Sequence, residues 1–152
     1  MRGVCFRLRA MRDGVVSVCL GGICLFVAAG AWTGLAGQSP PTAPRRGGNP
    51  EAAKMTNPVP ATPESVAAGR RAYVRLCANC HGPSGKGDGS GAAGGAQPAD
   101  LTDAKWDYGS SEGEIFTVIR DGTSADMGSY AERLSPQDMW SVVNFIRSLK
   151  KS

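Results

Sequence analysis

The sequence predicts an all-α domain over residues 63–152, and three observations carry that prediction. Three stretches place apolar residues at i, i+3, i+4 and i+7, the spacing of one helix face. Nothing between them alternates apolar and polar residues as a strand does. The connections are glycine-rich, above all residues 82–99. The chain has 152 residues with 41 % apolar content, enough for one small domain with further segments attached. Only 7 % of residues are aromatic, and glycine (21) and proline (10) are abundant, so the core is thin for about 90 residues. A domain of this kind usually needs a staple, and a large bound cofactor is one.

Residues 1–37 read as an export segment. Arg2, Arg7, Arg9 and Arg12 against Asp13 supply +3 of the formal +4 charge of the whole chain. With so little net charge elsewhere, no basic stripe remains and a nucleic-acid footprint is not expected. Residues 14–37 are uncharged, with Val15–Val27 the most apolar part, and Ala29-Gly30-Ala31 matches a small-residue cleavage site. The rival reading is an uncleaved membrane tether through residues 14–37, with the arginines inside and Trp32 at the outer interface. Both place the remainder outside the cytoplasm, in the periplasm or on the outer face of the cytoplasmic membrane. Residues 38–62, QSPPTAPRRGGNPEAAKMTNPVPAT, repeat proline without apolar periodicity and are expected to form a solvated, semi-rigid linker.

The first helix is expected from Thr62 as N-cap and Pro63 at the first helical position to about Leu76. Val66, Gly69, Tyr73 and Leu76 share one face. The second is expected to start at Ser111, where Glu114 completes a capping box, and to stop at Gly122. Ile115, Phe116, Val118 and Ile119 are its apolar residues. The third is expected to start at Ser135-Pro136, with Met139, Val142, Val143, Ile146 and Leu149 on the stripe and Trp140 and Phe145 widening it. Lys150 and Lys151 suit the negative end of its dipole. No internal repeat is present.

Of the five cysteines, Cys5, Cys19 and Cys24 fall in the leader, and only Cys77 and Cys80 belong to the predicted domain. The single histidine of the chain, His81, follows them directly. Cys77-Ala78-Asn79-Cys80-His81 is the C-x-x-C-H pattern of covalent c-type haem attachment. Two thiols three positions apart on a helical turn can each add to one vinyl group of a porphyrin, and the adjacent imidazole then ligates the iron. A zinc site needs about four ligands, and no further cysteine or histidine follows. A thioredoxin-like pair needs a βαβ context, which is missing. A cysteine nucleophile with His81 as base is sterically poor for adjacent residues. With one histidine, a second ligand within the chain must be softer, and methionine is the alternative. Met55 lies in the linker and Met139 on a core stripe. Met127 sits in a polar loop with no packing reason to be there, and is the expected sixth ligand. The alternative is an open or water-bound iron.

Gly69-Arg-Arg-Ala-Tyr73-Val-Arg-Leu-Cys-Ala-Asn-Cys-His-Gly82 resembles the class I cytochromes c, specifically the small single-haem bacterial carriers. The likeness continues through the Gly85–Gly89 turn, Pro98-Ala-Asp-Leu101, Arg120-Asp-Gly122, Met127 and the run from Trp140 to Leu149. It implies a cytochrome c fold, with three main helices and glycine-rich loops wrapped round one covalent haem c. It further implies that Gly69 and Tyr73 cross the last helix near Val142, Phe145 and Ile146. A carbonyl near Pro98 or Ala99 would accept the hydrogen bond of the His81 ring. Leu101 would pack on the haem, and Trp106 or Tyr108 would pack in the core or reach a propionate. One departure is Gly128 after Met127, where the family commonly has proline. The implied function is single-electron transfer, without substrate chemistry or catalytic residues, between redox proteins such as a quinol-oxidising complex or a terminal oxidase. The alternatives are a haem subunit of a larger respiratory complex and an open-site haem sensor or peroxidase.

Overall fold

Side-chain caps set where the main helices begin. The computed structural model describes residues 40–92 and 97–149, all within the unit Ser39–Ser152. The leader, Lys150 and Lys151 lie outside the described residues. Among the described residues five α-helices follow in order: α1 (Pro50–Ala53), α2 (Pro63–Leu76), α3 (Ala78–His81), α4 (Glu112–Asp121) and α5 (Pro136–Leu149). A short 3₁₀ turn spans Ser90–Ala92, and no strand occurs among the described residues. The molecule is all-α, as expected. Thr62 caps α2, accepting from the Ser65 N–H while the Ser65 hydroxyl returns a contact to the Thr62 N–H. Ser111 caps α4 through the reciprocal box with Glu114. Ser135 accepts from the Asp138 N–H at the start of α5. The three expected helices therefore begin at the residues whose side chains satisfy otherwise orphaned backbone donors.

Packing centres on the crossing of α2 and α5. Gly69 permits it: an added Cβ would overlap the Ser141 backbone carbonyl and press on Phe145. One turn later the rings of Tyr73 and Phe145 meet at 5.0 Å between centroids, tilted by 55°. The expected crossing is present, with Ser141 as its closest backbone contact. On the other side of α5, Trp140 stacks on Phe116 of α4 at 4.1 Å. Met139, Val142 and Val143 are 2 % exposed or less and fill the space between.

Residues 40–62 depart from the expected solvated linker. They form a strap lying against α4 and α5. Asn49 is 1 % exposed; its backbone N–H donates to Glu114 Oε1 (2.8 Å), and its side chain donates to the carbonyls of Pro41 and Ala43. Ala52 is fully buried, and a Cβ on Gly113 would overlap its carbonyl. Asn57 donates to Asn144 Oδ1 (2.8 Å), and Asn144 donates back to the Val59 carbonyl (3.0 Å). The physical reason is that asparagine amides replace the missing helical hydrogen bonds, while the prolines reduce the entropy lost on docking.

Candidate functional site

Cys77 closes α2, its N–H donating to the Tyr73 carbonyl (2.8 Å), and the chain at once makes another turn as α3. The N–H groups of Cys80 and His81 both donate to the Cys77 carbonyl (3.1 and 2.9 Å). Cys77, Cys80 and His81 are thus at i, i+3 and i+4 of one turn, the spacing that shares a face. Gly82, at φ 75°, ends the turn in a conformation side chains rarely adopt. The glycine loop then folds back: Gly87 N–H donates to the His81 carbonyl (2.9 Å) and Gly89 N–H to the Cys80 carbonyl (3.1 Å). These bonds satisfy the last carbonyls of α3.

Both thiols are free, and with His81 they line a cavity of about 530 Å³. Pro98, Leu101, Trp106 and Met127 line the same cavity. Its helical wall is Ile115, Val118 and Ile119 of α4 with Val142 and Ile146 of α5. Met139 is not among the lining residues and is 2 % exposed in the core. His81 Nδ1 lies 3.1 Å from the Ala99 carbonyl, within the Pro98–Ala99 stretch expected to receive it. A carbonyl oxygen only accepts, so Nδ1 carries the proton and the lone pair is left on Nε2. Burial, only partly opposed by that hydrogen bond, holds the imidazole below the usual histidine range, so it is neutral at neutral pH. Burial also pushes the Cys77 thiol up to about 11. A thiol so raised stays protonated at neutral pH.

The Met127 segment is tied to the end of α4. The N–H of Thr123 donates to the Met127 carbonyl (2.8 Å), the Met127 N–H to Ser124 Oγ (3.3 Å), and the Tyr130 N–H to the Ile119 carbonyl (3.1 Å). Gly122 packs so closely on Met127 and Gly128 that a Cβ there would overlap their backbone. Trp106 donates from Nε1 to the Asp103 carbonyl (3.2 Å) and packs against the core. Among the lining residues to which the sequence pattern assigns no role, two stand out. Tyr130 joins the cavity wall, its hydroxyl donating to the Leu76 carbonyl (3.1 Å). Arg46 reaches the cavity from the strap.

The donor set fits a covalently held haem. Two thiols and a neutral imidazole with Nε2 available open on one largely apolar cavity, the chemistry that thioether attachment and iron ligation require. Among the described residues no group of three or more His, Cys, Asp or Glu is placed to hold a bare metal ion.

Comparison with known proteins agrees with that chemistry. The family described as cytochrome c oxidase, cbb3-type, subunit III matches residues 64–146. The cbb3-type cytochrome c oxidase subunit FixP of Bradyrhizobium diazoefficiens is 32 % identical over 84 residues, covering 55 % of this chain and 27 % of that protein. Subunit CcoP of an Azospirillum species (strain B510) is 26 % identical over 84 residues, covering 55 % and 28 %. The chain thus spans little more than a quarter of the length of these curated relatives. A chain of the reducing HAO-like protein complex of Kuenenia stuttgartiensis aligns with a TM-score of 0.57 and 28 % identity, over 64 % of this chain and 48 % of that one.

Proposed function

The chain belongs to the cytochrome c oxidase, cbb3-type, subunit III family, and from that premise we propose that it carries one haem c and transfers single electrons between redox proteins. The observation that supports this most is the shared cavity of Cys77, Cys80, His81 and Met127. Cys77 and Cys80 would hold the porphyrin through two thioether bonds, and His81 and Met127 would ligate its iron. The haem, when bound, supplies a one-electron Fe(III)/Fe(II) couple whose potential methionine ligation raises. The chain's own residues do the rest. Ala99 holds the His81 ring in one tautomer and orientation. The aliphatic wall from α4 and α5 excludes water. The tied Met127 loop keeps its thioether at the cavity. His81 is the chain's one histidine, so no distal histidine is available for peroxidase chemistry.

The partner is a redox protein, and the names of the curated relatives favour a terminal oxidase of the cbb3 type, with this domain as a haem subunit rather than a free carrier. Residues 1–37 export the chain and, uncleaved, tether it through residues 14–37. Among the described residues no helix is long and apolar enough to cross a membrane.

The test is an optical spectrum of the matured full-length protein, oxidised and reduced, with and without carbon monoxide. A low-spin c-type spectrum indifferent to carbon monoxide is expected. Cys77→Ala or Cys80→Ala should impair covalent attachment, and His81→Ala should abolish the low-spin centre. Rapid carbon monoxide binding by the parent, or a high-spin ferric form, would move the reading to an open-site sensor or enzyme.

A further inference from the structure

Resting on the haem reading above, we propose that Arg46 is the counter-charge for the haem propionates, so that the strap completes a cofactor site otherwise built by the family domain. A haem attached through its vinyl groups carries two carboxylates on another edge, and these need cationic or hydrogen-bonding partners wherever they leave the apolar cavity. Arg46 is the one lysine or arginine among the residues lining that cavity. Two of the other lining residues, Asp107 and Asp126, are acidic. Without Arg46 the two acidic side chains would be the formal charges left among the lining lysines, arginines, aspartates and glutamates.

The position of Arg46 is built. The Gly47 N–H donates to the Asp107 carbonyl (2.7 Å), the Gly48 N–H to the Arg45 carbonyl (3.0 Å), and the Asn49 N–H to Glu114 Oε1 (2.8 Å). These bonds close a turn around Arg46 and tie the strap to the fold directly after it. Arg46 then lies over the Tyr108 ring at 5.5 Å from its centroid, with Nη1 at 3.6 Å from Asp107 Oδ2. At 3.6 Å, and with both side chains more than half exposed, that ion pair is weak. Donors of the planar guanidinium remain for a carboxylate. The matched family region begins at residue 64, so Arg46 comes from outside it.

A cation at the propionates favours the electron-rich, reduced haem. The test is potentiometric titration of the matured full chain, at low and at high salt, for the parent, Arg46→Gln and Arg46→Lys. Optical spectra and thermal unfolding are recorded on the same samples. Arg46→Gln should lower the midpoint, by an amount equal to about a two- to fivefold smaller equilibrium constant for reduction. High salt should shrink the difference, and Arg46→Lys should keep most of the parent value. An unmoved midpoint in Arg46→Gln at low salt overturns the proposal. So does an equal shift in both variants accompanied by an equal loss of thermal stability, which would mark a structural role. A parent lacking a c-type spectrum would remove the haem reading itself, a result distinct from a normal spectrum with an unmoved midpoint.

Discussion

His81 and Met127 reach one cavity by different physical routes. His81 is placed by covalent proximity to Cys80 and by the Ala99 carbonyl, both within a short stretch of chain. Met127 is placed by backbone bonds to the end of α4. Removing its side chain should therefore open the iron without dismantling the fold. Met127→Ala is expected to bind carbon monoxide where the parent does not. Met139→Ala, which empties a core position 2 % exposed, should cost about 2–5 kcal/mol of stability and leave the visible spectrum as it was. Carbon monoxide titration and denaturant unfolding of both variants check this; a spectral change in Met139→Ala alone would reverse the ligand assignment. The C-x-x-C-H residues were legible in the sequence because their geometry is that of a single turn. Arg46 was not, because its meaning depends on a tertiary approach to Tyr108 that no local pattern encodes.

Helices read well from sequence where side chains settle backbone hydrogen bonds and where the apolar stripe is long. Thr62, Ser111 and Ser135 announce α2, α4 and α5, and periodicity over two to four turns confirms them. The four-residue α1 has the same opening, Asn49 as cap and Pro50 inside, but it is too short to show a period. Two glycines, Gly69 at the α2–α5 crossing and Gly128 in the Met127 loop, should have opposite fates on substitution. Gly69→Ala drives a methyl into the Ser141 carbonyl, and separating the helices should cost about 1–3 kcal/mol. Gly128→Ala meets nothing within 4 Å and has no positive φ to lose, so it should be neutral or stabilise by up to about 1 kcal/mol. Chemical denaturation of the two variants measures this directly. An undiminished Gly69→Ala protein would mean the crossing is looser than its geometry.

At the scale of the molecule, the strap is held by Glu114. Although its burial opposes ionisation, hydrogen bonds from Ser111, Asn49 and Ser110 outweigh that and hold its carboxyl below the usual range. The folded value thus lies below the ordinary one of about 4.3. The stabilisation is complete above the ordinary value and is lost as pH falls through the folded one. Unfolding of Glu114→Gln and parent, compared across pH, should show a stability difference that shrinks as pH drops below about 4. A difference constant from neutral to pH 3 would mean the carboxylate charge does not hold the strap. The linker expectation failed here because low apolar content and repeated proline describe a docked strap as well as a free one. What separates them is a handful of asparagine and backbone contacts to residues far along the chain.

Those contacts also bear on timing. Asn57 meets Asn144 across 87 positions, and Gly69 waits for Ser141. A chain made from its N-terminus presents Cys77 and Cys80 well before α5 exists to close the core. Until α5 packs, the wall that Val142 and Ile146 give the cavity is missing, and the two thiols stand at an open face. The final closure joins contacts far apart in the chain, and is expected to be the slow step of folding and the one that seals the cavity.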